Sequence, residues 1–83
     1  MEIEHLVQMT NEIADFFRPA SGPQQAAADI ATHLMRFWDP RMRAQLIAHY
    51  AAGAKGMVPE ARQAAALLAA ASSGAVMAAA AQA

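Results

Sequence analysis

Residues 36–43 read RFWDPRMR, and this octapeptide decides how the middle of the chain divides into helices. A residue that precedes proline is pushed out of the α region, whereas aspartate is a preferred N-cap and proline suits the first helical position. The pair Asp39 and Pro40 therefore ends one helix and begins the next. We predict a helix over residues 23–37 before this junction and another over residues 40–52 after it.

Two further helices are predicted on either side of that pair. Apolar residues recur with a period near 3.6 between residues 2 and 17, which is typical of an amphipathic helix. The prolines and glycine of residues 19–23 are expected to end this helix and form a linker. After a turn at residues 53–58, Pro59 begins a fourth helix whose thin apolar stripe consists mainly of alanine.

These patterns predict an all-α fold of three to four short helices in a small bundle, since no segment alternates as a strand does. We expect residues 1–72 to form a single helical domain. The Ala-rich residues 73–83 are expected to be a weakly ordered tail, because they offer nothing large to pack with.

Composition excludes several classes of function. The 83 residues include no cysteine, so a disulfide framework, thiolate zinc, a cysteine-liganded iron–sulfur cluster and a cysteine nucleophile are all ruled out. The formal net charge of −1 offers no basic excess for binding a polyanion by counterion release. No secretory signal is predicted, and the uncharged residues 63–83 are too rich in alanine and polar residues for a membrane helix.

The hydrophobic core is expected to be thin. Much of the apolar content is alanine, which buries little surface, and a core in a chain of this length supplies roughly 3–5 kcal/mol net. We expect Phe37 to be a core anchor that holds the second helix against the first. A chain with such a core is marginal alone, and this predicts a larger partner.

Catalysis by this chain is not predicted. Asp29 and His33 share one helical face, but two ligands without a third make no selective metal site. No serine is placed with histidine and aspartate as a nucleophile requires. The loop of residues 53–56 matches the Gly-x-x-Gly of KH domains, but those domains need strands that this sequence lacks.

Residues 36–43 concentrate the features of a protein interface. They hold half of the six basic residues around the only tryptophan, and Trp, Arg and Met are enriched at interfaces. We expect Arg41 and Arg43 to act as a pair that engages carboxylates or phosphates, with the ring of Trp38 as a stacking surface for Arg43. The predicted partner-binding residues are Phe17, Arg36, Trp38, Pro40, Arg41, Met42 and Arg43.

The same octapeptide, together with the helix that ends in Phe16-Phe17 and the Leu46-Ile47-Ala48-His49 element, resembles the delta subunit of soluble NAD-dependent formate dehydrogenases. The resemblance covers about residues 6–59, and its specific part is the string of residues 37–43. It implies a cytoplasmic, non-catalytic subunit of a molybdenum enzyme complex that oxidises formate and reduces NAD+.

That resemblance also implies where the cofactors are. The molybdopterin cofactor, the iron–sulfur clusters and FMN belong to other subunits, and this chain is expected to hold none. The implied partner is the catalytic alpha subunit, whose assembly, cofactor loading or stability the chain supports. Two alternatives stay open: a maturation factor that meets the cofactor's phosphates through Arg41 and Arg43, and a free-standing regulatory or nucleic-acid-binding helical protein.

Overall fold

Four α-helices make up the fold. The computed structural model describes the backbone of residues 2–82 and the side chains of residues 2–71, and this part contains no strand. The helices are α1 (Ile3–Ser21), α2 (Pro23–Phe37), α3 (Pro40–Ala51) and α4 (Pro59–Gln82). The predicted all-α bundle is confirmed. Residues 73–82 continue α4, but their side chains lie outside the described residues, so the weakly ordered tail stays a prediction.

The α2–α3 junction forms as its sequence predicts. The backbone N–H of Trp38 donates to the carbonyl of Leu34 at 3.0 Å and closes the last turn of α2. Asp39 then accepts a hydrogen bond from the backbone N–H of Met42 at 2.9 Å, and Pro40 takes the first position of α3. Because the N-cap and the proline act within a single turn, the boundary depends on no distant contact.

The predicted linker at residues 19–23 is wrong, because α1 continues through Pro19 to Ser21. Pro19 lies in the last turn, where its missing N–H removes only one hydrogen bond from the helix. The turn is held by the backbone N–H of Gly22, which donates to the carbonyl of Arg18, and by the hydroxyl of Ser21, which donates to Asp29. Gly22 alone connects the helices, at a φ of 83° that suits glycine.

The core lies where α2 packs against both α1 and α4. Its largest fully buried side chains are Leu6, Ile30, Leu34 and Leu46, together with Thr10. The hydroxyl of Thr10 donates to the carbonyl of Leu6 at 2.8 Å, which satisfies a polar group inside the core. Alanine supplies most of the remaining buried positions: Ala14, Ala26, Ala27, Ala54, Ala61, Ala64 and Ala65. The thin stripe on α4 is therefore a close-packed face.

The α3–α4 connection is tied to α1 by Asn11. The side-chain amide of Asn11 donates to the carbonyl of Gly56 at 2.9 Å and accepts from the backbone N–H of Val58 at 3.0 Å. A ring nitrogen of His49 lies 2.7 Å from the carbonyl oxygen of Lys55. These contacts fix the 53–56 loop on the protein's own backbone. No helix of the described residues has the length and apolar character to cross a membrane.

Candidate functional site

An open apolar groove runs along α1 beside the end of α2 and the start of α3. Its volume is about 730 Å³. We call it the aromatic groove. Its lining residues are Met9, Glu12, Ile13, Phe16, Phe17, His33, Phe37, Trp38 and Met42. It takes in three of the predicted partner-binding residues, Phe17, Trp38 and Met42.

The groove exists because α1 carries two neighbouring apolar stripes. One stripe, which includes Leu6, Thr10 and Ala14, is buried in the core. The second recurs at positions 9, 13, 16 and 17, which is also helical spacing, and forms one wall of the groove. The bundle buries the first stripe fully, whereas in the second stripe it leaves Met9, Ile13 and Phe17 half-buried and Phe16 exposed.

A chain of rings crosses the groove from α1 to α2. The centroids of Phe16 and Phe17 lie 5.1 Å apart in an edge-to-face arrangement. Phe17 lies 6.0 Å from the ring of His33, and His33 lies 4.7 Å from the ring of Phe37. Such distances allow favourable contacts between the negative face of one ring and the positive edge of the next. The rings therefore hold one another in place.

The two end members of this chain are exposed to solvent. Phe16 is 67 % exposed and Phe37 is 68 % exposed. The expectation that Phe37 anchors the core is therefore wrong. The side chain lies on the last turn of α2, at the mouth of the groove, where the described elements leave it uncovered. Exposed apolar surface that is contiguous, as it is here, marks an interaction site more often than scattered single residues do.

The tryptophan of the octapeptide is buried, in contrast to Phe16 and Phe37. Trp38 is only 6 % exposed, and its ring forms the floor of the groove as well as part of the core. Met42 and Phe17 are half-buried and pack against the same core. A partner in the groove would therefore contact much less of these side chains than of Phe16 and Phe37, which are mostly exposed.

Of the three arginines in the octapeptide, Arg43 is hydrogen-bonded to the backbone, whereas Arg36 and Arg41 are exposed. Arg43 donates to the carbonyls of Met35 at 3.3 Å, Leu34 at 3.5 Å and Trp38. It thus caps the end of α2, where a cation also suits the negative end of the helix dipole. Arg41 is exposed and donates no side-chain hydrogen bond within the described residues. The expected engagement of a partner by Arg41 and Arg43 as a pair stays a prediction.

Arg36 lies beside the aromatic groove but is not one of its lining residues. It is exposed, and its guanidinium carbon lies 5.7 Å from the centroid of the Phe37 ring, a cation–π distance. It also lines a smaller pocket that adjoins the groove and shares Phe17, His33 and Phe37 with it. The cation stacked on an aromatic ring is therefore Arg36 on Phe37, where Arg43 on Trp38 was expected. Pro40 is exposed at the first position of α3.

The two carboxylates whose pKa values are lowered, Glu60 and Asp29, take part in contacts that hold the fold together. The hydrogen bond from Arg18 to Glu60, 2.9 Å long, lowers the pKa of Glu60 and joins α1 to the start of α4. A hydrogen bond from Ser21, followed by one from Gln25, lowers the pKa of Asp29. Asp29 is thus bonded to these residues and forms no pair with His33. The described residues contain no cluster of three or more His, Cys, Asp or Glu side chains suited to a metal ion.

Six lining residues of the groove were missed as site residues: Met9, Glu12, Ile13, Phe16, His33 and Phe37. The usable signal was the width of the apolar surface of α1, which is larger than one neighbouring helix can cover. The spacing of the apolar residues between residues 2 and 17 predicts one amphipathic face. The structure divides that face into two adjacent stripes, of which one is fully buried and the other is only partly covered.

Comparison with known proteins identifies one family. The family model described as the NADH-dependent formate dehydrogenase delta subunit FdsD matches residues 5–65, well over half of the chain. The matched region spans α1 to α3 and the first turns of α4, and it contains the whole aromatic groove. No curated protein and no solved structure matches the chain.

Proposed function

Because this chain belongs to the delta-subunit family of NADH-dependent formate dehydrogenases, we propose that it is a non-catalytic accessory subunit that docks on the catalytic alpha subunit. The aromatic groove is the observation that supports this role. A subunit needs a surface for its complex, and here the two largest exposed rings, Phe16 and Phe37, lie together on one face. Covering each ring contributes about 1–2 kcal/mol to association.

The chemistry of the groove fits binding better than catalysis. Among its lining residues Glu12 and His33 are the two with polar side chains, and the others are apolar or aromatic. The sequence has no cysteine to ligand an iron–sulfur cluster. In keeping with the resemblance to soluble formate dehydrogenases, we propose that the molybdopterin cofactor, the clusters and FMN belong to the larger subunits and that the complex is cytoplasmic.

Docking would support assembly, cofactor loading or stability of the alpha subunit. The groove favours a lasting structural contact, because a docked partner would cover its exposed rings and few charges are involved. Arg41 is the exposed cation of the octapeptide's second half, so it is the residue that could meet a cofactor phosphate. Arg43 is occupied with the end of α2.

The proposal is tested by co-expressing the complex with Phe16→Ser and Phe37→Ser in this chain. We expect the amount of co-purified chain to fall about tenfold, since two anchors in one apolar patch are hot-spot candidates. Leu67→Ser is the matched control, because Leu67 is 45 % exposed on α4 and does not line the groove. A complex of unchanged yield and formate-oxidising activity with the double variant would contradict the proposal.

The maturation alternative is separated by measuring molybdenum. Arg41→Ala leaves the aromatic groove and the α2 cap intact. A complex of normal subunit content that contains less molybdenum would assign Arg41 to cofactor loading. Normal molybdenum content would leave docking as the function of this face.

A further inference from the structure

The aromatic groove has charged residues of opposite sign on its two sides. Glu12 lies on its α1 side, where its carboxylate accepts a weak hydrogen bond of 3.3 Å from Gln8. Arg36 lies on its α2 side, beside the exposed ring of Phe37. The apolar floor is therefore bordered by an acid on one side and by a base on the other.

Two cations near the α2–α3 junction, one on each helix, are available to a partner. Within the residues whose side chains are described, neither Arg36 nor Arg41 forms an ion pair or donates a hydrogen bond. Arg18, by contrast, is bonded to both Asp15 and Glu60. An exposed guanidinium beside a covered apolar patch gains most from a carboxylate that it can bind bidentately.

The walls of the groove indicate the shape of the occupant. On α1 the lining residues follow positions 9, 13, 16 and 17, and on α2 they follow positions 33 and 37, so both walls are helical ridges. Ridges of this kind pack best into the grooves between the ridges of another helix. The described backbone has no strand edge on which an extended segment could add by main-chain hydrogen bonds.

The length of the groove limits how much of that helix is bound. From Met9 to Phe17 the wall spans nine residues of α1, and the eight steps between them measure roughly 12 Å at 1.5 Å per residue. This accommodates about two turns of an occupant helix, with apolar side chains at positions i, i+3 or i+4, and i+7. Short amphipathic helices in apolar grooves are a recurring mode of recognition.

We infer that the occupant of the aromatic groove is an amphipathic α-helix of the catalytic subunit, about two turns long, with a carboxylate on the side that faces Arg36. This inference rests on the proposed docking function and specifies the structural element that docks. The apolar stripe of that helix covers Phe16 and Phe37. Its acidic flank lies over the end of α2, and its opposite flank, neutral or basic, faces Glu12.

The first test maps the occupant by photo-cross-linking in the complete complex. p-Benzoylphenylalanine is placed at Phe16 or at Phe37, which keeps an aromatic ring at each position, and at Leu67 as the control. We expect both groove positions to link to one segment of the catalytic subunit, at residues three, four or seven apart, with Asp or Glu on one flank. Leu67 is expected to give no link to that segment.

The outcomes of this test separate the two proposals. Links to the catalytic subunit at alternate residues, or in a segment without an acidic flank, would overturn the helix inference while leaving the docking function standing. Links to a second copy of this chain would overturn the inference and assign the groove to self-association. Absence of any link to the catalytic subunit from either groove position would contradict the docking function itself.

The second test addresses charge. Arg36→Glu is expected to lower the yield of complex about fivefold, and reversal of the acidic residue in the cross-linked segment to Arg should restore it. Arg62→Glu makes the same charge change on an exposed position of α4 outside the groove and should have no effect. An Arg36→Glu complex that forms as well as the Arg62→Glu complex would exclude the acidic flank.

Discussion

The interior between α2 and α4 and the aromatic groove beside α1 use opposite kinds of side chains. In the interior, Ala61, Ala64 and Ala65 are fully buried and bring the backbone of α4 close to its neighbours. In the groove, Phe16 and Phe37 present most of their surface to solvent. The chain therefore buries many of its smallest apolar side chains and exposes two of its largest.

The buried alanines contribute to folding, whereas the exposed phenylalanines are available for association. A methyl group gains little from burial, but alanine costs no side-chain entropy and lets helices pack closely. A phenylalanine gains about 1.5–3 kcal/mol when it is fully buried. Because that gain is not taken up in folding, it is available to association, which is what a subunit of a complex needs.

The largest effect on folding is expected at Leu34, in the interior. Leu34→Ala should lower the free energy of unfolding by about 3 kcal/mol, because the side chain is fully buried and the neighbouring helices cannot close the cavity. Phe37→Ala, three residues further along the same helix, should change it by less than about 0.5 kcal/mol. Urea unfolding followed by circular dichroism measures both. Equal losses in the free energy of unfolding would mean that the groove contributes as much to folding as the interior does.

A smaller effect is expected from enlarging an interior alanine. Ala64→Leu should cost about 1–3 kcal/mol, since a close-packed site must move to admit the extra carbon atoms. Ala70→Leu makes the same change at an exposed position of α4 and should be within about 0.5 kcal/mol of the parent. If Ala64→Leu unfolds at the same urea concentration as Ala70→Leu, the interior is loosely packed. The buried alanines would then tolerate enlargement as well as an exposed position does.

The smallest expected effect concerns the ion pair that joins α1 to α4. The hydrogen bond from Arg18 lowers the pKa of Glu60 in the folded chain, so the pair stabilises fully above the ordinary glutamate pKa of about 4.3. That contribution is lost as the pH falls through the lowered pKa. The urea midpoint should therefore drop more steeply in acid for the parent than for Glu60→Gln. Asp29, whose pKa Ser21 also lowers, adds acid sensitivity to both proteins. Parallel pH profiles would show that the pair contributes nothing.

The helices could be predicted because their boundaries depend on local chemistry. Asp39 and Pro40 determine the α2–α3 junction within one turn, and Pro59 begins α4 in the same way. Pro19 shows the limit of such signals. A proline near the end of a helix costs one hydrogen bond, and tertiary contacts such as the one between Ser21 and Asp29 decide whether the helix continues past it.

The groove could be predicted only in part, because a helical pattern does not say which neighbouring element covers an apolar stripe. Phe17, Trp38 and Met42 were identified from residue type and lie in the groove. The inward placement of Phe37 was wrong, since it required a neighbour that the bundle does not supply at that turn. Arg43 looked like an interface residue, but its length lets it reach back to the carbonyls of α2.

The position of Trp38 has a practical consequence. It is the only indole in the chain, and it lies between the packed interior on one side and the groove on the other. Its fluorescence should therefore shift to the red when the chain unfolds and the ring meets water. Filling of the groove should change the emission while the chain remains folded. The unlabelled protein thus carries an intrinsic optical reporter of both events.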